Sequence, residues 1–178
     1  FQDQVGETQC KNCVAGEYQD QAGEAAVVTC KDCASGKYQD QTGQAECKGT
    51  ACAAGKFSEE VAQTAAVTCK DCAPGQFQDQ TGETNCKQCA AGEFQDQTGE
   101  TDCKNCVIGE FQDQVGETDC KGTACAAGKF FEQVAQTAAV TCKNCVAGEF
   151  QDQVGETQCK NCTAGEFQDQ PGETSCKD

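Results

Sequence analysis

The chain has 178 residues, 19 of them Cys and none of them His, Met or Trp, and its formal net charge is −16. Leu and Arg are absent too, and the one Ile, 12 Val and 9 Phe make up about 12% of the residues, below the roughly 20% at which charged chains are disordered. Cys, at about 11%, passes the 8–10% that marks disulfide scaffolds, so a conventional core is excluded and the chain is either disordered or held by cross-links in place of one.

The balance of 13 Lys against 29 Asp plus Glu excludes nucleic acid as a partner, because no basic stripe exists to displace counterions. No apolar run approaches the ~20 residues that span a bilayer, so no membrane insertion is expected of this segment, and no leader pattern opens it.

In chain order, residues 1–9 read as a truncated module. Units then start at Cys10, Cys30, Cys47, Cys69, Cys86, Cys103, Cys120, Cys142 and Cys159, and residues 176–178 open another. The ordinary unit has 17 residues, C-K-x-C-x-x-G-E-[FY]-Q-D-Q-x-G-E-T-x, as in Cys86 to Asp102. Counted from its second Cys, all nine units carry Gly at +3 and an aromatic at +5. The Cys10 unit is longer by the insertion Ala25-Ala26-Val27-Val28. The Cys47 and Cys120 units have 22 residues: C-K-x-C becomes C-K-G-T-A-C, and the turn becomes V-A-Q-T-A-A-V-T, with Ala62 and Ala135 in place of the turn Gly. Residues 47–105 and 120–178 match at 46 of 59 positions, a super-repeat of 73 residues. The reading is one continuous tandem array over 1–178, a piece of a longer chain.

The Gly of Q-D-Q-x-G-E suits a turn with positive φ. Flanked by E-F-Q and E-T-x-C, it predicts a short irregular hairpin of about three residues per strand. Two Gly per ordinary unit and no apolar 3.6-residue period argue against helix. The fold class expected is therefore small, disulfide-rich and mostly irregular, with short β-hairpins stacked into an elongated solenoid or rod. The aromatic is expected to cover the disulfides of adjoining modules, as a thin apolar spine.

Three readings of the cysteines compete. C-x2-C pairs lie close to zinc-ribbon spacing, so Cys69, Cys72, Cys86 and Cys89 offer a tetrahedral thiolate set. A bond inside each C-K-x-C is the second reading, without the βαβ context of redox proteins. The third joins the second Cys of each unit to the first of the next: Cys13–Cys30, Cys33–Cys47, Cys52–Cys69, Cys72–Cys86, Cys89–Cys103, Cys106–Cys120, Cys125–Cys142, Cys145–Cys159 and Cys162–Cys176. Cys10 is then left to pair with a residue upstream of the chain. The C-x4-C variants favour this third reading, because they alter a zinc bite but leave bonds between units untouched. So does the uniformity of the loops, which shows no grouping of pairs in twos.

The pattern C-x-x-G-[EKQ]-[FY]…C-x-x-C resembles the ephrin-receptor-like cysteine-rich repeat, and is similar to the single-disulfide module of tumour-necrosis-factor-receptor repeats. The resemblance covers every unit from Cys13 to Cys176. It implies an extracellular scaffold in which the Cys before x-x-G-x-[FY] bonds the next Cys downstream. It carries over no ligand-binding residue.

Few residues stand out from the repeat. Asn161-Cys162-Thr163 is the one N-x-[ST] sequon, with Cys162 hindering its use. The Thr of G-E-T-x-C (Thr8, Thr84, Thr101, Thr118, Thr157, Thr174) suits O-glycans or simply a strand edge. The carboxylates repeating as Glu93, Asp96 and Glu100 allow weak calcium binding, the one cofactor expectation, and are first read as a solvated face. Lys of each C-K-x-C is expected to run as a stripe against these acids. No catalytic set breaks the repeat, so no enzyme is expected. Val61, Ala65, Ala66 and Val67, with Phe131, Val134, Ala138, Ala139 and Val140, form two apolar tips one super-repeat apart, suited to self-association. The leading expectation is an extracellular structural protein, a rod that forms or decorates a filament, surface hair or coat. The alternatives are the stalk of a receptor or adhesin ectodomain and a zinc-binding repeat protein.

Overall fold

The computed structural model describes residues 12–20 and 29–178. Cys10, Thr8 and the insertion at 25–28 lie outside the described residues. No helix occurs among those described; the regular structure consists of two-residue strands in antiparallel pairs.

The first strand of each hairpin is the pair ending in the +5 aromatic. The second is the Lys and its neighbour inside C-K-x-C. Thus Glu93–Phe94 pairs with Lys104–Asn105, in the register Glu93↔Asn105 and Phe94↔Lys104. The same register joins Glu17–Tyr18 to Lys31–Asp32, Lys56–Phe57 to Lys70–Asp71, Lys129–Phe130 to Lys143–Asn144 and Glu149–Phe150 to Lys160–Asn161. Glu110–Phe111 pairs with Lys121–Gly122. In two further modules the pairing shrinks to a single bridge, Tyr38↔Lys48 and Phe167↔Lys177.

This corrects the sequence expectation in one respect. E-F begins a strand, but E-T-x-C does not supply its partner; C-K-x-C does. The reason is the cross-link with the turn behind it: the disulfide from the +0 Cys to the next first Cys, and the turn over +1 to +4, set residues +4 and +5 opposite the two residues that follow the next first Cys.

The first strand of a hairpin is entered through a tight turn. In one, the Glu93 N–H donates to the Ala90 carbonyl at 3.1 Å with Gly92 at φ +88°, the geometry of a type II turn. In most modules Gly at +3 is also needed for space, Gly148 and Gly165 being the exceptions. A Cβ on Gly55 would stand 1.9 Å from the carbonyl oxygen of Gly99, the turn residue two modules on. No side chain fits there.

The chain divides into two compact units, Phe1–Ala73 with Phe77–Lys87 and Thr98–Asp102, and Pro74–Gln76 with Gln88–Gln97 and Cys103–Asp178. In the first unit, backbone bonds tie successive modules. Gly55 N–H donates to Gln78 O at 2.7 Å, Cys72 N–H to Gly55 O at 2.9 Å, Gln78 N–H to Glu100 O at 3.1 Å and Gly99 N–H to Cys72 O at 2.8 Å. The second unit repeats the set: Gly92 to Gln112 at 2.7 Å, Cys106 to Gly92 at 3.0 Å, Gln112 to Gln136 at 2.9 Å and Ala135 to Cys106 at 3.2 Å. Each module therefore uses its neighbour as a hydrogen-bonding template, as repeat arrays do.

The interior is made of sulfur and amide. The second Cys of each unit from Cys13 to Cys145 is buried, and so is the Gln at +6 in Gln39, Gln78, Gln95, Gln112, Gln151 and Gln168. The aromatics are only half-buried or, for Phe167, half-exposed. The expected aromatic spine is thus a flank of the interior, and the cystines with their Gln partners are its centre.

Candidate functional site

Nine disulfides run from the second Cys of one unit to the first Cys of the next: Cys13–Cys30, Cys33–Cys47, Cys52–Cys69, Cys72–Cys86, Cys89–Cys103, Cys106–Cys120, Cys125–Cys142, Cys145–Cys159 and Cys162–Cys176. Their Cα–Cα distances of 5.6–5.8 Å sit at the usual separation for a cystine. The sulfurs of Cys69, Cys72, Cys86 and Cys89 are all bonded in this way, which removes them as the thiolate set a zinc ion would need. Cys13, Glu17 and Cys30 bring a carboxylate within 4.8 Å of two sulfurs, but those sulfurs are bonded to each other.

Inside the disulfide loops of the ordinary modules the +6 Gln organises the hairpin tip. Gln112 Nε2 donates to the Asp119 carbonyl at 2.8 Å, and its Oε1 accepts from the Gln114 N–H at 3.1 Å. Gln78, Gln151 and Gln168 make the same two bonds. No buried side-chain nitrogen or oxygen among the described residues lacks a partner. The first Gln of Q-D-Q is therefore a structural strut, a role the sequence reading did not assign. The one signal for it was its invariance in ordinary units beside its loss, to Ser58 and Phe131, in the long ones.

Above the tip lies a repeated charge cluster. Lys of C-K-x-C pairs with Asp of Q-D-Q across its own hairpin: Lys87 with Asp79, Lys104 with Asp96, Lys160 with Asp152 and Lys177 with Asp169, each at 2.5 Å. Lys121 pairs with Asp113 likewise. The same ammonium stands 5.8–5.9 Å from the ring centroid of the +5 aromatic, as Lys87 over Phe77 and Lys104 over Phe94, within cation–π range. The hydrogen bond from Lys holds the carboxyls of Asp20, Asp40, Asp79, Asp96, Asp113, Asp152 and Asp169 below the ordinary value of 3.8. The stripe of opposite charges thus closes within each hairpin, because strand pairing sets Lys beside the aromatic and two residues of chain bring Asp over both.

The two long tips keep the repeat's backbone. Ala62 and Ala135 stand at the turn-Gly position with φ +54°, a left-handed conformation. They still donate the module-to-module bond, to Cys33 O at 3.0 Å and Cys106 O at 3.2 Å. Val61, Ala65 and Ala66 in one tip and Val134, Ala138 and Ala139 in the other are exposed, while Val67 and Val140 are half-buried. Phe131 stands at the +6 position, half-buried, where ordinary modules place Gln. Asn161 is exposed on its strand, and Thr84, Thr101, Thr118, Thr157 and Thr174 are exposed as well.

No helix among the described residues is long and apolar enough to cross a membrane. The disulfides and the receptor-type module together point to an extracellular chain. No curated protein matches the sequence. The family described as "Tyrosine-protein kinase ephrin type A/B receptor-like" matches residues 55–102 and 132–178. With more than half of its residues matched and the cysteine-rich hairpin repeated throughout, the chain belongs to this ephrin-receptor-like family.

Proposed function

We propose that the chain is a stalk segment of an extracellular receptor-type or adhesin ectodomain, a cross-linked spacer that holds a recognition domain encoded elsewhere. The family match over residues 55–102 and 132–178 is the observation that carries this reading. The chemistry agrees with it: polar tips, paired surface charges and cystines make a scaffold that tolerates oxidising surroundings and needs no large core. Every ordinary module presents the same side chains, so recognition is assigned to another part of the protein.

A second reading, a homopolymeric filament or coat, is supported by the 46 identical positions of 59 between the two super-repeats and by the exposed apolar tips. Sedimentation velocity of the oxidised chain over a wide concentration range separates the two. A monomer at all concentrations is the outcome for the stalk; growth into polymers visible by electron microscopy overturns it in favour of the filament.

A further inference from the structure

Asn161 sits on a strand Lys160–Asn161 paired with Glu149–Phe150. It is exposed. Asn105 and Asn144 occupy the same place on their own hairpins, between Lys and the second Cys, and are equally exposed. One side chain separates the three. Two residues after Asn161 comes Thr163, whereas Asn105 and Asn144 are followed there by Val107 and Val146. A hydroxyl at that position is what makes Asn an acceptor for N-linked sugar.

The folded hairpin withholds that hydroxyl. Thr163 Oγ1 donates to Glu166 Oε2 at 2.8 Å, and the Thr163 N–H donates to the same oxygen at 3.2 Å. The residue between them, Cys162, is bonded to Cys176, and Lys160 is held by Asp152 at 2.5 Å. An acceptor segment must turn its Asn carboxamide toward the Thr hydroxyl in a transferase cleft. A paired strand pinned by a cystine on one side and an ion pair on the other does not permit that turn.

We propose that Asn161 is an N-glycan acceptor used only while the Cys162–Cys176 bond is open. The inference rests on the extracellular reading, since only an exported chain meets the sugar donor. Asn161 Nδ2 attacks C1 of an oligosaccharide carried on a lipid pyrophosphate. The Nδ2–C1 bond forms, the C1–O bond to phosphate breaks, the lipid pyrophosphate leaves, and one Nδ2 proton passes to a carboxylate of the transferase. Cys176 follows Cys162 by 14 residues, so at roughly 5–20 residues per second of synthesis the two cysteines emerge about 1–3 seconds apart. Sugar transfer and bond closure therefore compete, and partial occupancy follows.

The test secretes the whole chain from a eukaryotic cell behind a supplied leader, so that its result does not depend on native export. Sites are then mapped by amidase release in heavy-oxygen water and peptide mass. A fraction of Asn161 is expected to carry label, with none at Asn105 or Asn144. The paired change Cys162→Ser and Cys176→Ser, which removes the competing bond, is expected to raise occupancy at least twofold. Thr163→Val is expected to abolish it, and Val107→Thr to open a second site at Asn105. No label at Asn161 in either the native chain or the paired variant overturns the site. Equal occupancy in the two overturns the competition. Neither result bears on the stalk reading, which sedimentation decides separately.

Discussion

At the scale of single residues, the buried Gln of Q-D-Q shows how a chain without Leu still specifies an interior. Its amide answers one carbonyl and one N–H of the tip, so the tip keeps its shape with its polar groups satisfied. Gln112→Ala removes both bonds, and the expected cost is about 1–3 kcal/mol, read as a lower thermal midpoint of the oxidised chain and faster amide exchange at Gln114. Ala62 and Ala135 are the opposite case. Their left-handed φ of +54° is a strained choice for any residue with a Cβ, tolerated because both N–H groups still reach the preceding module. Ala135→Gly relieves the strain and gives the chain a looser unfolded state; the expected net gain is ~0.5–1 kcal/mol. A fall in the midpoint on this change would contradict the account.

At the scale of the hairpin, two paired residues per strand are far too few to stand alone. The disulfide closing the loop, the template of the neighbouring module and the Lys clamp together hold the pairing. The clamp is exposed, so it contributes little, but it leaves a clear signature with pH. Because Lys lowers the folded-state pKa of the seven aspartates, their contribution is full above the unfolded value near 3.8. It is lost as pH falls through the lower folded value. Carboxyl resonances of Asp96 and its counterparts are therefore expected to titrate below 3.8, and Lys104→Met to move the Asp96 midpoint back up alone. The first strand was legible in the sequence, since E-F beside the Q-D-Q-x-G-E turn marks it; the turn that enters it, at the +3 Gly, was not read from the fixed offset alone. The second strand was not, because nothing in C-K-x-C is strand-like until the cross-link sets it opposite E-F.

At the scale of the whole molecule, stability resides in the nine cystines. Each closes a loop with a sequence separation of 14 or 17 residues, worth ~3 kcal/mol in the chain-entropy model. Reduction is therefore expected to unfold the chain completely, with an intact-mass gain of about 18 Da on breaking the nine bonds and loss of amide protection throughout. Full reduction that left most modules protected would instead show that the backbone template carries the fold. The sequence also raised a filament ahead of a receptor stalk, on the sameness of its modules. The family match gives the stalk the stronger support, and sameness alone does not distinguish a polymer from a spacer.

The sequence by itself determined the class of molecule, the recurring period of its hairpins and the cross-linked character of its interior. These are periodic, local properties: cysteine count, a 17-residue spacing, and Gly and aromatic offsets that recur in every unit. Only the tertiary structure decided that Gln rather than the aromatic shares the interior with sulfur, that C-K-x-C is a strand, and that the +3 Gly in Gly16, Gly55, Gly75, Gly92 and Gly128 lies against the turn two modules on. Each of these depends on backbone groups far apart in sequence meeting across a closed loop, and a composition that names the cross-links does not say which faces they bring together.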